Sequence, residues 1–130
     1  MRRMSMLTLV IMMLLAGCTS PQDVDHQVVN PEAFEAALDN ATGGFLLDVR
    51  TTAEWEDGHL EGSILIPHLE LEARVDELPS DPSQTIHVYC QSGSRSARAV
   101  QTLIDLGYSS IIELDGGIGA WTSSGRPVVR

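Results

Sequence analysis

Residues 85–96 have the sequence TIHVYCQSGSRS, which places a cysteine between an apolar run and the start of a helix. The run at 85–89 predicts a buried strand, and residues 95–106 predict a helix with one apolar face. In parallel α/β sheets, ligands bind at the carboxyl ends of the strands. Cys90 therefore occupies a position typical of a site residue.

The loop after Cys90 has the composition of an anion-binding turn. Successive backbone N–H groups ahead of a helix can converge on an anion, and the helix N-terminus adds positive potential. Gly93 permits a tight turn, and Arg95 adds charge. A thiol in such a loop is expected to ionise readily. We predict that Cys90 is a nucleophile, with an inert buried cysteine as the alternative. The predicted binding residues are Gln91, Ser92, Gly93, Ser94, Arg95 and Ser96.

Strands and helices alternate along the rest of the chain. Further strands are predicted at 45–49, 63–66 and 111–114. The sequence Asn30-Pro31-Glu32 begins a helix, because it supplies a cap, a proline at N1 and an acid. An amphipathic helix is predicted at 71–78, ended by Pro79. Apolar runs without polar alternation favour a parallel sheet covered on both faces. The predicted fold is therefore α/β, with a central parallel sheet and helices on both faces.

The first residues have the features of an export signal. Arg2 and Arg3 precede an apolar run at 6–16, about half of the roughly 20 residues that a membrane span needs. The sequence LAGC at 15–18 resembles a bacterial lipoprotein signal. This resemblance implies that residues 1–17 are removed and that Cys18 is lipidated. An ordinary cleaved signal or an uncleaved anchor is the alternative.

The lipoprotein resemblance also implies a location. The chain would be exported and anchored to a bacterial membrane facing the periplasm. Thr19, where inner-membrane lipoproteins carry Asp, favours the outer membrane. Residues 18–27 are polar and predict a tether, which leaves residues 28–130 as one domain.

Composition excludes several classes of function. The 130 residues include 8 basic and 18 acidic side chains, for a net charge of −10. Such a chain lacks the clustered positive charge of a general nucleic-acid binder. Its two cysteines cannot form a four-cysteine zinc site, and the histidines show no metal-ligand spacing.

The motif Cys90-x-x-Gly93-x-Arg95-Ser96 resembles the active-site loop of the rhodanese (thiosulfate sulfurtransferase) family. Further stretches resemble other family signatures in the same order: LDVR at 47–50, GHLEGS at 58–63, Ile-Pro at 66–67 and LDGGIGAW at 114–121. The match covers about residues 27–127. The chain therefore resembles a single-domain rhodanese.

The resemblance implies a double-displacement reaction that needs no metal or organic cofactor. Cys90 would take a sulfane sulfur from a small anionic donor such as thiosulfate and form a persulfide. A thiol or cyanide would then accept the sulfur. Gln91 stands where many members carry a basic residue, which weakens the electrostatic argument for a dianionic donor.

Two alternatives to this enzyme remain. One is a non-catalytic module that carries a persulfide or binds a partner protein. The other is a phosphatase-like enzyme. Related phosphatases have one more residue in the loop, whereas only four separate Cys90 from Arg95 here. The shorter loop favours a single sulfur atom over a tetrahedral oxyanion.

Three residues matched by the signatures are expected to support the site. Asp48 and Arg50 follow a strand and are expected to form a pair that stabilises the loops, although they could face the pocket. His59 is expected to make a structural hydrogen bond, because attack by a thiolate needs no general base.

Overall fold

The structure, a computed structural model, describes residues 23–130. Its helices and strands, in chain order, are β1 (Asp25–Val29), α1 (Pro31–Asn40), β2 (Phe45–Asp48), α2 (Thr52–Asp57), β3 (Ile64–Leu65), β4 (Ile86–Tyr89), α3 (Ser94–Asp105), β5 (Ser110–Leu114) and α4 (Gly117–Ser123). Two 3₁₀ turns, His68–Glu70 and Val75–Glu77, lie between β3 and β4.

The five strands form one parallel sheet in the order β1-β5-β4-β2-β3. β4 is central and all four of its residues are buried. Because the strands are parallel, their carboxyl ends lie at one edge, and Cys90 follows β4 at this edge. The predicted parallel α/β fold is confirmed.

A separate apolar core covers each face of the sheet. Alternate residues of β4 point to opposite faces, so Val88 packs on the α3 side and Tyr89 on the side of α1 and α4. α3 buries Ser96, Ala99, Val100 and Leu103, a spacing that places them on one helix face. Phe34 of α1 and Trp121 of α4 pack edge to face in the other core. The prediction of helices on both faces is therefore confirmed.

α1 begins where the sequence predicts. The Asn30 side chain accepts a hydrogen bond from the backbone N–H of Ala33 at 2.9 Å, and Pro31 occupies the first turn. Phe34 is fully buried and fixes the helix against the sheet. The cap and the buried aromatic together explain this helix.

The predicted tether at 18–27 overlaps an ordered strand. β1 begins at Asp25 and pairs with β5 over five residues, from Asp25–Ser110 to Val29–Leu114. Its first four residues are exposed, so β1 lacks the apolar pattern by which the other strands were predicted. The strand boundary therefore corrects the predicted start of the domain from residue 28 to about residue 25.

The predicted amphipathic helix at 71–78 is wrong. Leu71 and Leu78 are buried, but Val75 is 42% exposed, so the three residues do not form one buried stripe. The segment instead contains the second 3₁₀ turn, and Arg74, the residue before this turn, pairs with Glu77. α2 and α4, by contrast, are helices that the sequence interpretation did not include.

The predicted signal peptide at 1–17 and the lipidation site Cys18 lie outside the described residues. Between residues 23 and 130, no helix has the length and apolarity that crossing a membrane requires. In the same range, no group of three His, Cys, Asp or Glu side chains is arranged to hold a metal ion.

The cap of α1 gives a stability prediction with a matched control. We expect Asn30→Ala to lower the free energy of unfolding by about 1 kcal/mol, because the Ala33 N–H loses its partner. Asn40→Ala makes the same change at the other end of α1, at an exposed residue. It should change stability by less than about 0.5 kcal/mol. Urea unfolding of both variants measures the difference, and equal losses would contradict the role of the cap.

Candidate functional site

Cys90 lies at the carboxyl end of β4 and is fully buried in the core on the α3 side. The backbone N–H of Gly93 donates to its Sγ at 3.0 Å, and the Ser96 hydroxyl oxygen lies 3.5 Å away. Burial raises the pKa of the thiol. Hydrogen bonding with the Ser96 hydroxyl and with the N–H groups of Ser96, Gly93 and Ser92 lowers it, and the net pKa lies below its ordinary value. The loop therefore favours an anionic sulfur.

Gly93 connects the cysteine loop to α3. Its φ is +110°, a conformation that strains any residue with a side chain, and it is the N-cap of the helix. This turn brings the first N–H groups of the twelve-residue α3 toward the sulfur. The helix starts at Ser94, one residue before the predicted start.

The first turn of α4 holds the other side of the cysteine loop. The N–H groups of Ile118 and Gly119 donate to the carbonyls of Cys90 and Gln91, at 2.9 and 3.1 Å. Gly117 has a φ of +61°, and a Cβ atom there would overlap both of those carbonyl oxygens. Gly117 of the LDGGIGAW sequence is therefore required for close contact between two main chains.

A buried ion pair follows β2. Arg50 Nη2 contacts Asp48 Oδ2 at 2.7 Å, and the two side chains are 2% and 0% exposed. Arg50 also donates to the Gly58 carbonyl at 2.8 Å and lies 3.4 Å from Gln91 Oε1. The structure thus contains the expected Asp48–Arg50 pair, which links the loop before β3 to the cysteine loop.

Arg95 is paired across the site with Glu54. Its guanidinium contacts both carboxylate oxygens, at 2.6 and 2.7 Å. The hydrogen bonds from Arg95 outweigh the opposing effect of burial and lower the pKa of Glu54 to about 2. The sequence interpretation assigned Arg95 a charge that strengthens the loop. It did not identify Glu54, the residue that neutralises this charge, although Thr51-x-x-Glu54 is a capping box that marks the start of α2.

His59 makes structural contacts. Its Nδ1 lies 2.9 Å from the Trp55 carbonyl oxygen, and its ring stacks on Trp55 at 3.5 Å. Its main chain forms two hydrogen bonds with Val129, at 2.9 and 2.8 Å. This arrangement agrees with the expected structural role.

A polar network that sequence reasoning missed lies behind the sulfur. The Ser96 hydroxyl donates to Glu113 Oε1 at 2.7 Å, and Glu113 Oε2 lies 3.0 Å from His26 Nε2. Glu113 is 5% exposed, on β5, and His26 lies on the edge strand β1. No local motif indicated these contacts, which join residues far apart in sequence. An acid in the otherwise apolar run at 111–114 was the one available signal.

A cleft of about 300 Å³ opens beside the loop. It is lined by Arg50, Glu54, Asp57, Gly58, Gln91, Ile118, Thr122 and Val128. Of the predicted binding residues, only Gln91 reaches it. Cys90 and residues 92–96 do not line the cleft, and the Cys90 side chain is fully buried, so the structure describes the sulfur in a covered position.

The chain matches the family model described as "Rhodanese-like domain" over residues 30–124. The chain belongs to the rhodanese-like family. A sulfurtransferase from Allochromatium vinosum is 33% identical over 101 residues, which cover 78% of this chain and 92% of the relative. The thiosulfate sulfurtransferase PspE from Escherichia coli is 33% identical over 72 residues, 55% of this chain and 68% of the relative. Two other relatives are longer than this chain, and the matched region covers 27% of the length of one and 50% of the length of the other.

A solved structure agrees with this assignment. A rhodanese-related protein from Thermoplasma volcanium superposes with a TM-score of 0.69 at 34% identity, covering 79% of this chain and 97% of the other. The rhodanese fold and a sulfurtransferase-like class predicted from the sequence are therefore confirmed.

The contact between α4 and the loop gives a second prediction. Gly117→Ala should lower the free energy of unfolding by roughly 1–2 kcal/mol because φ is positive at this position. It should lower it by about 1–3 kcal/mol more because the cysteine loop must shift to make room for the Cβ atom. Gly125→Ala is the control, since Gly125 has a φ of +82° but open space around it. Urea unfolding and titration of the Cys90 thiol measure both effects. Equal losses with an unchanged thiol would show that this contact does not position the loop.

Proposed function

We propose that the protein is a sulfurtransferase that carries a sulfane sulfur as a persulfide on Cys90. The thiolate attacks the outer sulfur of a donor such as thiosulfate, the S–S bond of the donor breaks, and sulfite leaves with the bonding electron pair. A thiol or cyanide then attacks the outer sulfur of the persulfide and regenerates the thiolate. The hydrogen bond from the Gly93 N–H to Sγ, in a loop that favours an anionic sulfur, is the observation that carries this proposal.

The charges around the site determine how the sulfur anion is held. Arg50 is paired with Asp48, and Arg95 is paired with Glu54. Neither guanidinium is free to neutralise a donor, and Gln91 adds no charge. The anion is therefore held by N–H and O–H donors, which suits one sulfur atom better than a highly charged oxyanion. This distribution also favours sulfur transfer over phosphatase-like chemistry.

The covered position of Cys90 adds one requirement. Because the thiol is fully buried, we infer that the segment at 91–93 moves to admit a donor to Sγ. Gly93 lies in that segment, and Gln91 already borders the open cleft. The cleft is the route that we propose for the donor and the acceptor.

We also propose that the domain is a lipoprotein exported to the periplasm, with Cys18 as the lipidated residue and the outer membrane as its location. The LAGC sequence at 15–18 supports this proposal. One acyl chain binds membranes weakly, whereas two or more anchor a protein stably. The domain would then act on sulfur compounds at the membrane surface.

The role of Cys90 is tested by Cys90→Ser. The hydroxyl has nearly the same shape but cannot hold a persulfide, so the fold should remain while transfer from thiosulfate to cyanide is lost. Intact-mass measurement after thiosulfate treatment should add the mass of one sulfur atom to the wild type and none to the variant. Cys18→Ser is the matched control and should retain both the added sulfur and the turnover.

The same experiment separates the alternatives. Turnover in folded Cys90→Ser would remove Cys90 from the mechanism. Persulfide formation in the wild type without turnover to cyanide or small thiols would instead support the carrier module.

The proposed anchor is tested with the same Cys18→Ser variant. Wild-type protein expressed in a bacterium should partition into the detergent phase, and the variant should remain in the aqueous phase, because it cannot be acylated. Sulfurtransferase activity should be the same for both. Equal partitioning of the two proteins into detergent would indicate an uncleaved apolar anchor and contradict lipidation at Cys18.

A further inference from the structure

A hydrogen-bonded chain runs from the Cys90 sulfur to the solvent-exposed edge of the sheet. Ser96 Oγ lies 3.5 Å from Cys90 Sγ and 2.7 Å from Glu113 Oε1, and Glu113 Oε2 lies 3.0 Å from His26 Nε2. Ser96 is fully buried, the Glu113 side chain is 6% exposed and that of His26 is 31% exposed. A buried carboxyl group is thus separated from the nucleophile by one hydroxyl.

The Ser96 hydroxyl cannot satisfy all its neighbours at once. It has one proton, and Glu113 Oε1, the Gly93 carbonyl at 3.0 Å and the Cys90 sulfur compete for it. An ionised Glu113 is a charged acceptor at short distance and holds the proton. Ser96 can then accept a bond from a thiol S–H but cannot donate to an anionic sulfur. The charge of Glu113 therefore decides whether the Ser96 hydroxyl donates a hydrogen bond to Cys90 or accepts one from it.

His26 is the group that can change this charge. Its Nε2 lies 3.0 Å from the second oxygen of Glu113, its side chain is 31% exposed, and an imidazole ring can carry a proton on either nitrogen. The other charged residues on β1, β5 and α3 are Asp25, Arg95, Arg98 and Asp105. Arg98 is exposed, and the other three have hydrogen-bond partners elsewhere, in Gln27, Glu54 and Gln101 respectively. β4 carries the titratable residues His87 and Tyr89, but both pack with Phe34 on the opposite face of the sheet, and Cys90 follows the strand.

We propose that Glu113 and His26 are positioning residues of the sulfur-transfer site, whose shared proton decides whether the Ser96 hydroxyl turns toward the Cys90 sulfur. This inference rests on the proposed role of Cys90. It assigns a role to two residues that lie outside the cysteine loop and outside the cleft.

The step conserves protons. When the Cys90 thiol ionises, its S–H proton is released to water, and the proton on His26 Nε2 moves to Glu113 Oε2. His26 becomes neutral, and Glu113 Oε1 becomes a carbonyl oxygen, a weaker acceptor than an anionic sulfur. The Ser96 proton then turns from Oε1 to Sγ. The anionic persulfide that forms from the thiolate carries the same charge, so the protons stay where they are. The buried negative charge is thus kept on one group, either Glu113 or the sulfur.

The test is titration of the Cys90 thiol by thiolate absorbance in the full-length chain carrying Cys18→Ser, where Cys90 is the one thiol. Glu113→Gln removes the competing charge and should lower the pKa of Cys90 by about one pH unit. His26→Gln leaves Glu113 ionised and should raise it by a similar amount. If the two residues had a merely structural role, the two substitutions would not shift the pKa of Cys90 in opposite directions. Glu72→Gln, the same change of charge at an exposed residue, should have no effect.

Adding Ser96→Ala separates the relay from simple charge effects. Both shifts should disappear in that background, because the hydroxyl transmits them, whereas a Coulombic effect would persist. Shifts of the same sign, shifts that survive Ser96→Ala, or a thiol that titrates as in Glu72→Gln would overturn the proposal. If Glu113→Gln does not fold, His26→Gln with and without Ser96→Ala still decides the question. The measurement needs no sulfur transfer, so it remains informative if the proposed function fails.

Discussion

Two main-chain hydrogen bonds, from Ile118 and Gly119 to the carbonyls of Cys90 and Gln91, hold the cysteine loop against α4. These carbonyls thus have their hydrogen-bond partners in α4, and N–H groups of the loop and of the first turn of α3 interact with the sulfur. The contact requires a residue without a side chain at 117. The electrostatic character of the site therefore depends on how closely two segments of backbone approach each other.

Charge balance around the cleft complements this arrangement. Each arginine close to the cysteine loop has an acidic partner, and one of the pairs, Asp48–Arg50, is almost fully buried. Burying two charges costs solvation energy that good geometry must offset. Arg50 achieves this with contacts to Asp48, Gly58 and Gln91, so it ties three segments together. Arg50 therefore fixes the positions of the segments around the cysteine loop, whereas backbone N–H groups supply the positive potential at the sulfur.

The sequence predicts the parts of the molecule that have local causes. β4, the loop and α3 follow from an apolar run, a glycine and helical spacing between 85 and 106, and α1 follows from its cap. β1 and the helix at 71–78 were misjudged because their state depends on tertiary pairing. β1 is polar but gains its hydrogen bonds from β5, and Val75 has the right spacing but no core beneath it. The pairs Arg95–Glu54 and Glu113–His26 join elements that meet only once the strand order is known.

Residues 127–130, of which Val128 lines the cleft, are held by hydrogen bonds that each use a main-chain atom. Val129 pairs with His59, the Pro127 carbonyl accepts from the Trp121 indole, and Arg130 donates to the Asp57 carbonyl. Val128, whose side chain lines the cleft, has no part in these bonds. Another apolar residue at position 128 would keep the contact of Val128 with the core and leave this segment in place. A substitution of this one side chain can therefore change the width and polarity of the entrance without a change in the cysteine loop.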